Sequence, residues 1–201
     1  MLEKSLELRV NPSQTDHAAW LQVAIRDILD HSGHKPRDIQ AIAVSAGPGS
    51  YTGLRVGMAS AKGLCYALHI PLITINTLKI MAVSGKQETT GLMCPMIDAR
   101  RMEVFAAIYD QELNEIAAPH NLVLDGNSFN QILSGTRVCF FGNGSKKFQQ
   151  ICTNVNAEFK DVNYTAQHMI SLSYEQFSEG VFTNLAYSEP FYGKDFYSTF
   201  K

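Results

Sequence analysis

The sequence predicts a mixed α/β protein, and three observations lead to that class. Residues 39–46 (IQAIAVSA) form a short apolar run typical of a buried strand in a parallel sheet. A glycine-rich turn and a helical segment (52–69) come next, and a second apolar run, IPLITIN (70–76), completes the order of a βαβ unit. Further on, four residues separate LMCPMID (92–98) from EVFAAIYD (103–110), which predicts an antiparallel hairpin.

The composition agrees with a folded, soluble protein. The chain has 201 residues, of which 45% are hydrophobic and 18% charged, so it has room for one domain or two small lobes. Its net charge of −2 makes it a poor electrostatic partner for a phosphate backbone, so we do not expect it to bind a nucleic acid without a partner protein. No apolar run approaches the ~18 residues of a membrane span, and no secretory signal opens the chain, so we expect a cytoplasmic protein that does not bind membranes.

The first elements follow from local patterns. Residues 5–10 (SLELRV) alternate between polar and apolar, which predicts a strand. Thr15 or Asp16 is a suitable N-cap for a helix that Gly33 would end. One apolar stripe runs along this helix at helical spacing. Its members are Trp20, Leu21, Ala24, Ile25, Ile28 and Leu29.

The later elements are predicted in the same way. Thr77 caps a short helix, and Gly142-Asn143-Gly144 opens another, which we expect over 145–154. Further strands are expected at 121–124 and 137–141, with a helix near 127–134 between them. A final amphipathic helix over 165–180 would turn Ala166, Met169, Ile170 and Phe177 inward.

The most informative segment is the glycine-rich turn within AVSAGPGSYTGLRVG (43–57), where a strand leads into a helix. A Walker A loop would need a lysine where Leu54 stands. A dinucleotide fingerprint would need GxGxxG, and this turn has one residue too many. A hydrolase elbow would need GxSxG, whereas Ser50 follows Gly49 directly. All three enzyme motifs therefore fail on spacing.

A structural role for the turn remains. Pro48 fixes φ, Gly47 and Gly49 permit a tight turn, and Ser50 or Thr52 can cap the helix that follows.

Small residues then recur along that helix. Gly53, Gly57 and Ala61 are four residues apart, with Ser60 and Gly63 beside them. Interior glycines destabilise a helix by about 1 kcal/mol each, so close backbone approach should compensate. The helix either packs tightly on its own sheet or receives a partner helix, and both can hold.

The sequence offers no metal site. Cys65, Cys94, Cys139 and Cys152 form no short ligand pair and lie in apolar stretches, so we expect buried free thiols. Of the histidines at 17, 31 and 34, His31 and His34 lie on either side of the helix end at Gly33, so they need not share a face.

Two turns leave alternatives open. The charged turn at 98–103 is either a solvated hairpin tip with a local ion pair or the remnant of a phosphate loop. The Gly142-Asn143-Gly144 turn is either a plain tight turn or a point of approach for a nucleotide.

These segments resemble a known family. GPGSYTGLRVGMASAKGLCYAL, IPLITINTLKIMA, PMIDARRMEVFAAIYD and FFGNGSKKF together resemble the TsaB (YeaZ) family over nearly the whole chain. The resemblance implies an actin-like ASKHA (ribonuclease H-like) α/β fold with two lobes, each a mixed sheet with flanking helices.

It also implies a function. The family acts in making threonylcarbamoyladenosine in tRNA, and its members pair with a catalytic paralogue, TsaD, which the ATPase TsaE joins. The resemblance implies a non-catalytic scaffold with no metal, no cofactor beyond weak nucleotide binding, tRNA contact only through the partner, and a homodimer in isolation. The alternative is an ASKHA-type enzyme, either a glycoprotease-like peptidase or an ATP-dependent kinase.

The paired helices of the family correspond here to about 16–32 and 52–68. Trp20, Leu54, Met58 and Lys62 are then the interface candidates. The glycine-rich turn supplies a second set of site residues: Gly47, Pro48, Gly49, Ser50, Thr52, Gly53 and Gly57.

The resemblance also predicts the lobes. The first covers 1–84, and the C-terminal segment 172–201 packs back on it; 85–90 is a linker, and 91–171 is the second lobe. Family members open with an apolar strand, an Asp-Thr-Ser turn and a second strand, and this chain starts beyond that hairpin. We therefore expect a truncated first lobe with exposed sheet edges.

Overall fold

The computed structural model describes residues 7–12 and 16–193. The chain forms two compact units. Unit 1 is Met1–Thr77 with Tyr164–Pro190, and unit 2 is Leu78–Asn163 with Phe191–Lys201. The predicted lobe boundary fell at residue 84, whereas the units divide at Thr77, because Leu78 and Met81 are buried in the core of unit 2.

Unit 1 contains the predicted βαβ unit. Strand β1 (Ile42–Gly47) leads through the glycine-rich turn into α2 (Tyr51–Leu68), which returns to β2 (Leu72–Asn76). The two strands pair in parallel, with Ile42 opposite Leu72 and Val44 opposite Thr74. Buried side chains of α2 pack on this pair, so helix and strands share one core.

Helix α1 (His17–Ser32) lies in the same unit and ends as predicted. Gly33 adopts φ 72°, and its amide donates to the carbonyls of Asp30 and Leu29. Asp16 occupies the N-cap position at the other end, as predicted, but it does not cap the helix through its side chain. That residue has φ 49° rather than the extended backbone of an N-cap, and its side chain makes no capping hydrogen bond. Thr15 lies outside the described residues.

Two strand predictions in unit 1 need correction. Residues 7–10 belong to no strand, and 5–6 lie outside the described residues. We also expected the first strand of the βαβ unit to be buried, but in β1 only Gly47 is buried and the other five residues are half-buried. The reason is that β1 has one strand neighbour, β2, among the described residues, so its outer edge is open there.

Among the described residues, unit 2 holds a five-stranded mixed sheet and three helices, the first of which begins at Thr77, where the two units divide. The strands are β3 (Leu92–Asp98), β4 (Glu103–Tyr109), β5 (Glu115–Val123), β6 (Val138–Phe141) and β7 (Ala157–Phe159). The helices are α3 (Thr77–Gly85), α4 (Asn130–Leu133) and α5 (Ser145–Gln149). The sheet order is β5-β4-β3-β6-β7, with the predicted hairpin of β3 and β4 antiparallel and both β6 contacts parallel. Apolar clusters cover both sheet faces.

The segment Tyr164–Pro190 returns to unit 1. After a 3₁₀ turn at Ala166–Met169, helix α6 covers Ile170–Ser178. The prediction that Ala166 faces inward is wrong, because it lies in the exposed 3₁₀ turn, and Leu172 is the buried residue of α6. Thr183 then bridges to Leu72, at the edge of β2.

Candidate partner interface

The glycine-rich turn of unit 1 is a helix entry. Gly47 has φ 105° and is buried, as is Pro48, and the peptide bond between them is cis. Ser50 is the N-cap of α2, where its hydroxyl accepts from the amide of Gly53 at 3.4 Å. The cap prediction is therefore confirmed for Ser50, while Thr52 lies in the first turn, exposed.

The small residues of α2 do not share one environment. A Cβ on Gly57 would lie 3.6 Å from Val44, and Ala61 is buried in the core of unit 1, so both face the sheet of their own unit. A Cβ on Gly63 would meet no atom within 4 Å, so Gly63 faces open space. Tight packing on the sheet and an open small-residue surface thus occur on different sides of the same helix.

The four predicted interface residues are placed differently from one another. Leu54 and Met58 are only 8% and 3% exposed, because they face the sheet side of α2 and are core residues of unit 1. Trp20 is half-buried on α1. The ammonium of Lys62 donates to the carbonyls of Ala186, at 3.3 Å, and Ser188, at 3.0 Å.

The outer face of α2 consists of other residues. Its exposed members are Tyr51, Thr52, Arg55, Ala59, Gly63, Tyr66 and Ala67. The guanidinium of Arg55 lies 4.3 Å from the centre of the Tyr51 ring, a cation–π contact, and Tyr66 is 75% exposed. We call this set the α2 outer face. The residue spacing could have indicated it, because the apolar positions 54, 58, 61 and 65 mark the buried stripe and the outer face lies opposite.

Helix α1 is tied to α2 beside this face. The amide of Gln22 donates to the hydroxyl of Ser60 at 2.9 Å. Of the apolar stripe of α1, Ala24 is fully buried and the other members are half-buried. Unit 1 therefore presents two linked helices, one with partly exposed apolar residues and the other with small and aromatic ones.

The charged turn in unit 2 forms its ion pair with a lysine of helix α5 and not within the turn. Lys147 donates to the Asp98 carboxylate at 2.7 Å, and this bond lowers the pKa of Asp98. The Asp98 carboxylate also accepts from the amide of Arg100 at 2.6 Å. Arg100 and Arg101 both have positive φ and form the exposed tip. Of the two interpretations left open above, this geometry matches a solvated hairpin tip.

The Gly142-Asn143-Gly144 turn is held by its own unit. Its Asn143 side chain accepts from the amide of Asp98 at 2.9 Å, and the amide of Gly144 donates to the carbonyl of Met96 at 3.1 Å. A cavity of about 230 Å³ beside it is lined by Gly142, Ser145, Lys146, Gln149, Phe159, Lys160 and Asp161. The Lys160 ammonium there is already paired with Glu158 and with the Glu88 carbonyl.

The cysteines match the expected free thiols. Cys65, Cys94 and Cys139 are buried and Cys152 is half-buried. Burial raises the pKa of Cys139 to about 11, so its thiol stays protonated at neutral pH. Within the described ranges, no cluster of His, Cys, Asp and Glu could hold a metal ion. None of the helices described is long and apolar enough to span a membrane.

Comparison with known proteins places this fold first among the proteins related to tRNA threonylcarbamoyltransferases and then in one family. Residues 10–186 match the family model described as TsaD: tRNA N6-adenosine threonylcarbamoyltransferase. Two curated relatives bear the name tRNA threonylcarbamoyladenosine biosynthesis protein TsaB. The Bacillus subtilis protein is 30% identical over 76% of this chain and 68% of its own length. The Escherichia coli protein is 30% identical over 88% of this chain and 80% of its own. The chain therefore belongs to the TsaB (YeaZ) family.

Solved structures confirm the fold. YeaZ from Pseudomonas aeruginosa superposes with a TM-score of 0.73 at 24% identity, over 88% of this chain and 85% of that one. A second structure, of an uncharacterized protein with similarity to peptidase YEAZ from Pseudomonas aeruginosa, gives 0.79 at 23% identity, over 90% and 85%. The fold is the ASKHA-type mixed α/β fold that the sequence resemblance implied.

Proposed function

We propose that this chain acts in making threonylcarbamoyladenosine in tRNA, as a non-catalytic subunit that pairs with a TsaD-type transferase. The names of its relatives support a role in threonylcarbamoyladenosine biosynthesis. The α2 outer face is the observation that carries the pairing. It places the exposed ring of Tyr66 about one helical turn from Gly63, where a Cβ would meet no atom within 4 Å. A helix with such a face lets a partner backbone approach closely, and tyrosines are common at interface centres.

The charge of the chain supports a division of labour within the complex. With a net charge of −2, this subunit is poorly suited to hold tRNA, so the transferase holds it. A TsaE-type ATPase joins the pair, and the same helices form a homodimer when the transferase is missing. The subunit works in the cytoplasm without a resident cofactor and binds a nucleotide weakly at most.

Mixing the chain with the TsaD-type subunit of the same organism tests this proposal. Gel filtration with light scattering should show a complex that Gly63→Arg abolishes, because an arginine there blocks close approach without touching unit 1. Gly135→Arg is the matched control, since a Cβ on Gly135 of unit 2 also meets no atom within 4 Å. Absence of a complex with the unaltered chain would contradict the proposal.

The alternative is an ASKHA-type enzyme, and the peptidase similarity stated for one of the matching structures favours testing it. Ser50 is its natural candidate nucleophile, but the Ser50 hydroxyl caps α2. Nucleophilic catalysis would need a base within hydrogen-bond reach of this hydroxyl. Peptide hydrolysis by the purified chain that Ser50→Ala removes would support this alternative over the scaffold.

A further inference from the structure

The turn at residues 184–188 of unit 1 is stabilised by hydrogen bonds between its own residues. The amide of Ser188 donates to the carbonyl of Asn184 at 3.0 Å. The side-chain oxygen of Asn184 accepts from the amides of Ala186, at 3.0 Å, and Tyr187, at 3.2 Å. A turn closed by an asparagine side chain in this way has a defined shape.

The same turn is fastened to unit 1 at three points. Before it, the amide of Thr183 donates to the carbonyl of Leu72 at 2.8 Å, on the edge of β2. Within it, Leu185 packs against the core beneath α2. Third, the ammonium of Lys62 on α2 donates to the carbonyls of Ala186 and Ser188, the two neighbours of Tyr187. The Lys62 side chain thus fixes the position of Tyr187 through the backbone of the turn.

What this arrangement presents is an exposed aromatic side chain. Tyr187 is 85% exposed, the most exposed of the tyrosines in the part of the chain described. Its backbone is fixed, so binding through the ring would lose little backbone entropy. An exposed tyrosine on a fixed turn has the form of an interface anchor, because tyrosine is among the residues that dominate binding energies.

The surroundings of Tyr187 indicate the charge of its partner. No lysine or arginine occurs between Lys160 and Lys194. Within unit 1 (Tyr164–Pro190), that stretch carries three carboxylates: Glu175, Glu179 and Glu189. Glu189 is exposed two residues after Tyr187. The Lys62 ammonium also lies at this turn, but it is engaged by the carbonyls of Ala186 and Ser188. The exposed carboxylate of Glu189 beside the aromatic anchor complements an apolar pocket with a basic rim.

We propose that Tyr187 is the aromatic anchor of a second contact with the transferase subunit, where it enters an apolar pocket rimmed by arginine or lysine. Lys62 is its positioning residue. This inference rests on the proposed function, since the partner is the one that binds the α2 outer face. It gives Lys62 a role that acts through the 184–188 turn rather than through its own contact with the partner.

The test is the dissociation constant for the TsaD-type subunit, measured by biolayer interferometry on folded variants. Tyr187→Ala should weaken binding at least about tenfold, whereas Tyr187→Phe should keep most of it, because the ring fills the pocket. Tyr174→Ala is the matched control, since Tyr174 is another exposed tyrosine of unit 1, outside the turn, and should bind as the parent does. Binding by the parent should weaken at higher salt, and Glu189→Gln should reduce that dependence.

A double-mutant cycle with Lys62→Met and Tyr187→Ala tests the positioning role of Lys62. Lys62→Met should weaken binding in the parent and have little further effect with Tyr187→Ala, because both changes remove the same contact. Additive losses would contradict the positioning role. If Tyr187→Ala binds like the parent while Gly63→Arg does not bind, the anchor is wrong and the proposed function stands. If the parent itself shows no binding, the proposed function fails first.

Discussion

The sheets of the two units differ in how completely the described residues bury them. In unit 2, β4 is buried from Val104 to Tyr109 and β6 is buried throughout, because apolar clusters cover both faces of a five-stranded sheet. In unit 1, a two-stranded sheet leaves β1 half-buried, and most of the apolar stripe of α1 is half-buried too. The edge strand β5 of unit 2 is largely exposed, but the inner strands β4 and β6 are buried by that unit's own packing. In unit 1 the strand β1 and the helix α1 keep partly exposed apolar surface that a partner can cover.

The largest expected effect lies in the core of unit 2. Phe140 is fully buried, its ring centre 4.9 Å from that of Phe148 and 5.2 Å from that of Phe129. Phe140→Ala should lower the free energy of unfolding by about 3–5 kcal/mol. Trp20→Ala, at a half-buried site of unit 1, should cost only about 1–2 kcal/mol. Urea unfolding followed by circular dichroism measures both changes in unfolding free energy. Equal losses for Phe140→Ala and Trp20→Ala would contradict the difference in burial between the two units.

The next effect concerns the turn after β6. Gly142 has φ 89°, and a Cβ there would overlap the carbonyl oxygen of Met96 and the methyl group of Met81. Gly142→Ala should therefore cost about 2–4 kcal/mol of unfolding free energy. Gly135→Ala should stay within about 0.5 kcal/mol, because nothing lies near that position. A Gly142→Ala protein as stable as the parent would show that the turn is loose.

In unit 1, a stabilising change is expected at Gly63. Its surroundings are open and its φ is ordinary, so Gly63→Ala should raise the unfolding free energy by about 1 kcal/mol through helix propensity. The same methyl group should weaken binding to the transferase subunit, because it fills space that the partner approaches. Thermal unfolding and the dissociation constant measure the two effects. A more stable variant with unchanged affinity would argue against close approach at this face.

The smallest effect is the pH dependence of the Asp98–Lys147 pair. The pKa of Asp98 is lowered in the folded chain, so its contribution to stability is present at neutral pH and is lost as the pH falls through the folded pKa. The carboxylate is over a third exposed, so this contribution should stay below about 1 kcal/mol. Unfolding measured from neutral to acid pH should show a smaller acid-side loss of stability in Asp98→Asn than in the parent, since Asp110, whose pKa is also lowered, keeps its own contribution. An unchanged profile in Asp98→Asn would assign the loss to other carboxylates.

Local signals in the sequence predicted much of this fold. Gly33 ends α1, Ser50 caps α2, and the β3–β4 hairpin forms where two apolar runs are separated by four residues. Strand β7 was missed because three residues carry no periodicity, and it exists through its pairing with β6.

The site was predicted less well. The helices of the candidate interface carry the exposed face, but Leu54 and Met58 lie on the buried side of α2, where apolar residues of an amphipathic helix belong. The contact of Lys62 with Ser188 could not be predicted, because it joins residues 126 positions apart through backbone carbonyls that any sequence offers.

Hydrogen exchange of the chain, alone and with the TsaD-type subunit, tests the central claim most directly. The claim is that the partner covers unit 1 and leaves the core sheet of unit 2 unchanged. We predict new protection in α2 (Tyr51–Leu68) and in residues 184–188, with exchange in β3, β4 and β6 unaltered. Protection gained only in unit 2, with α2 unchanged, would contradict the account.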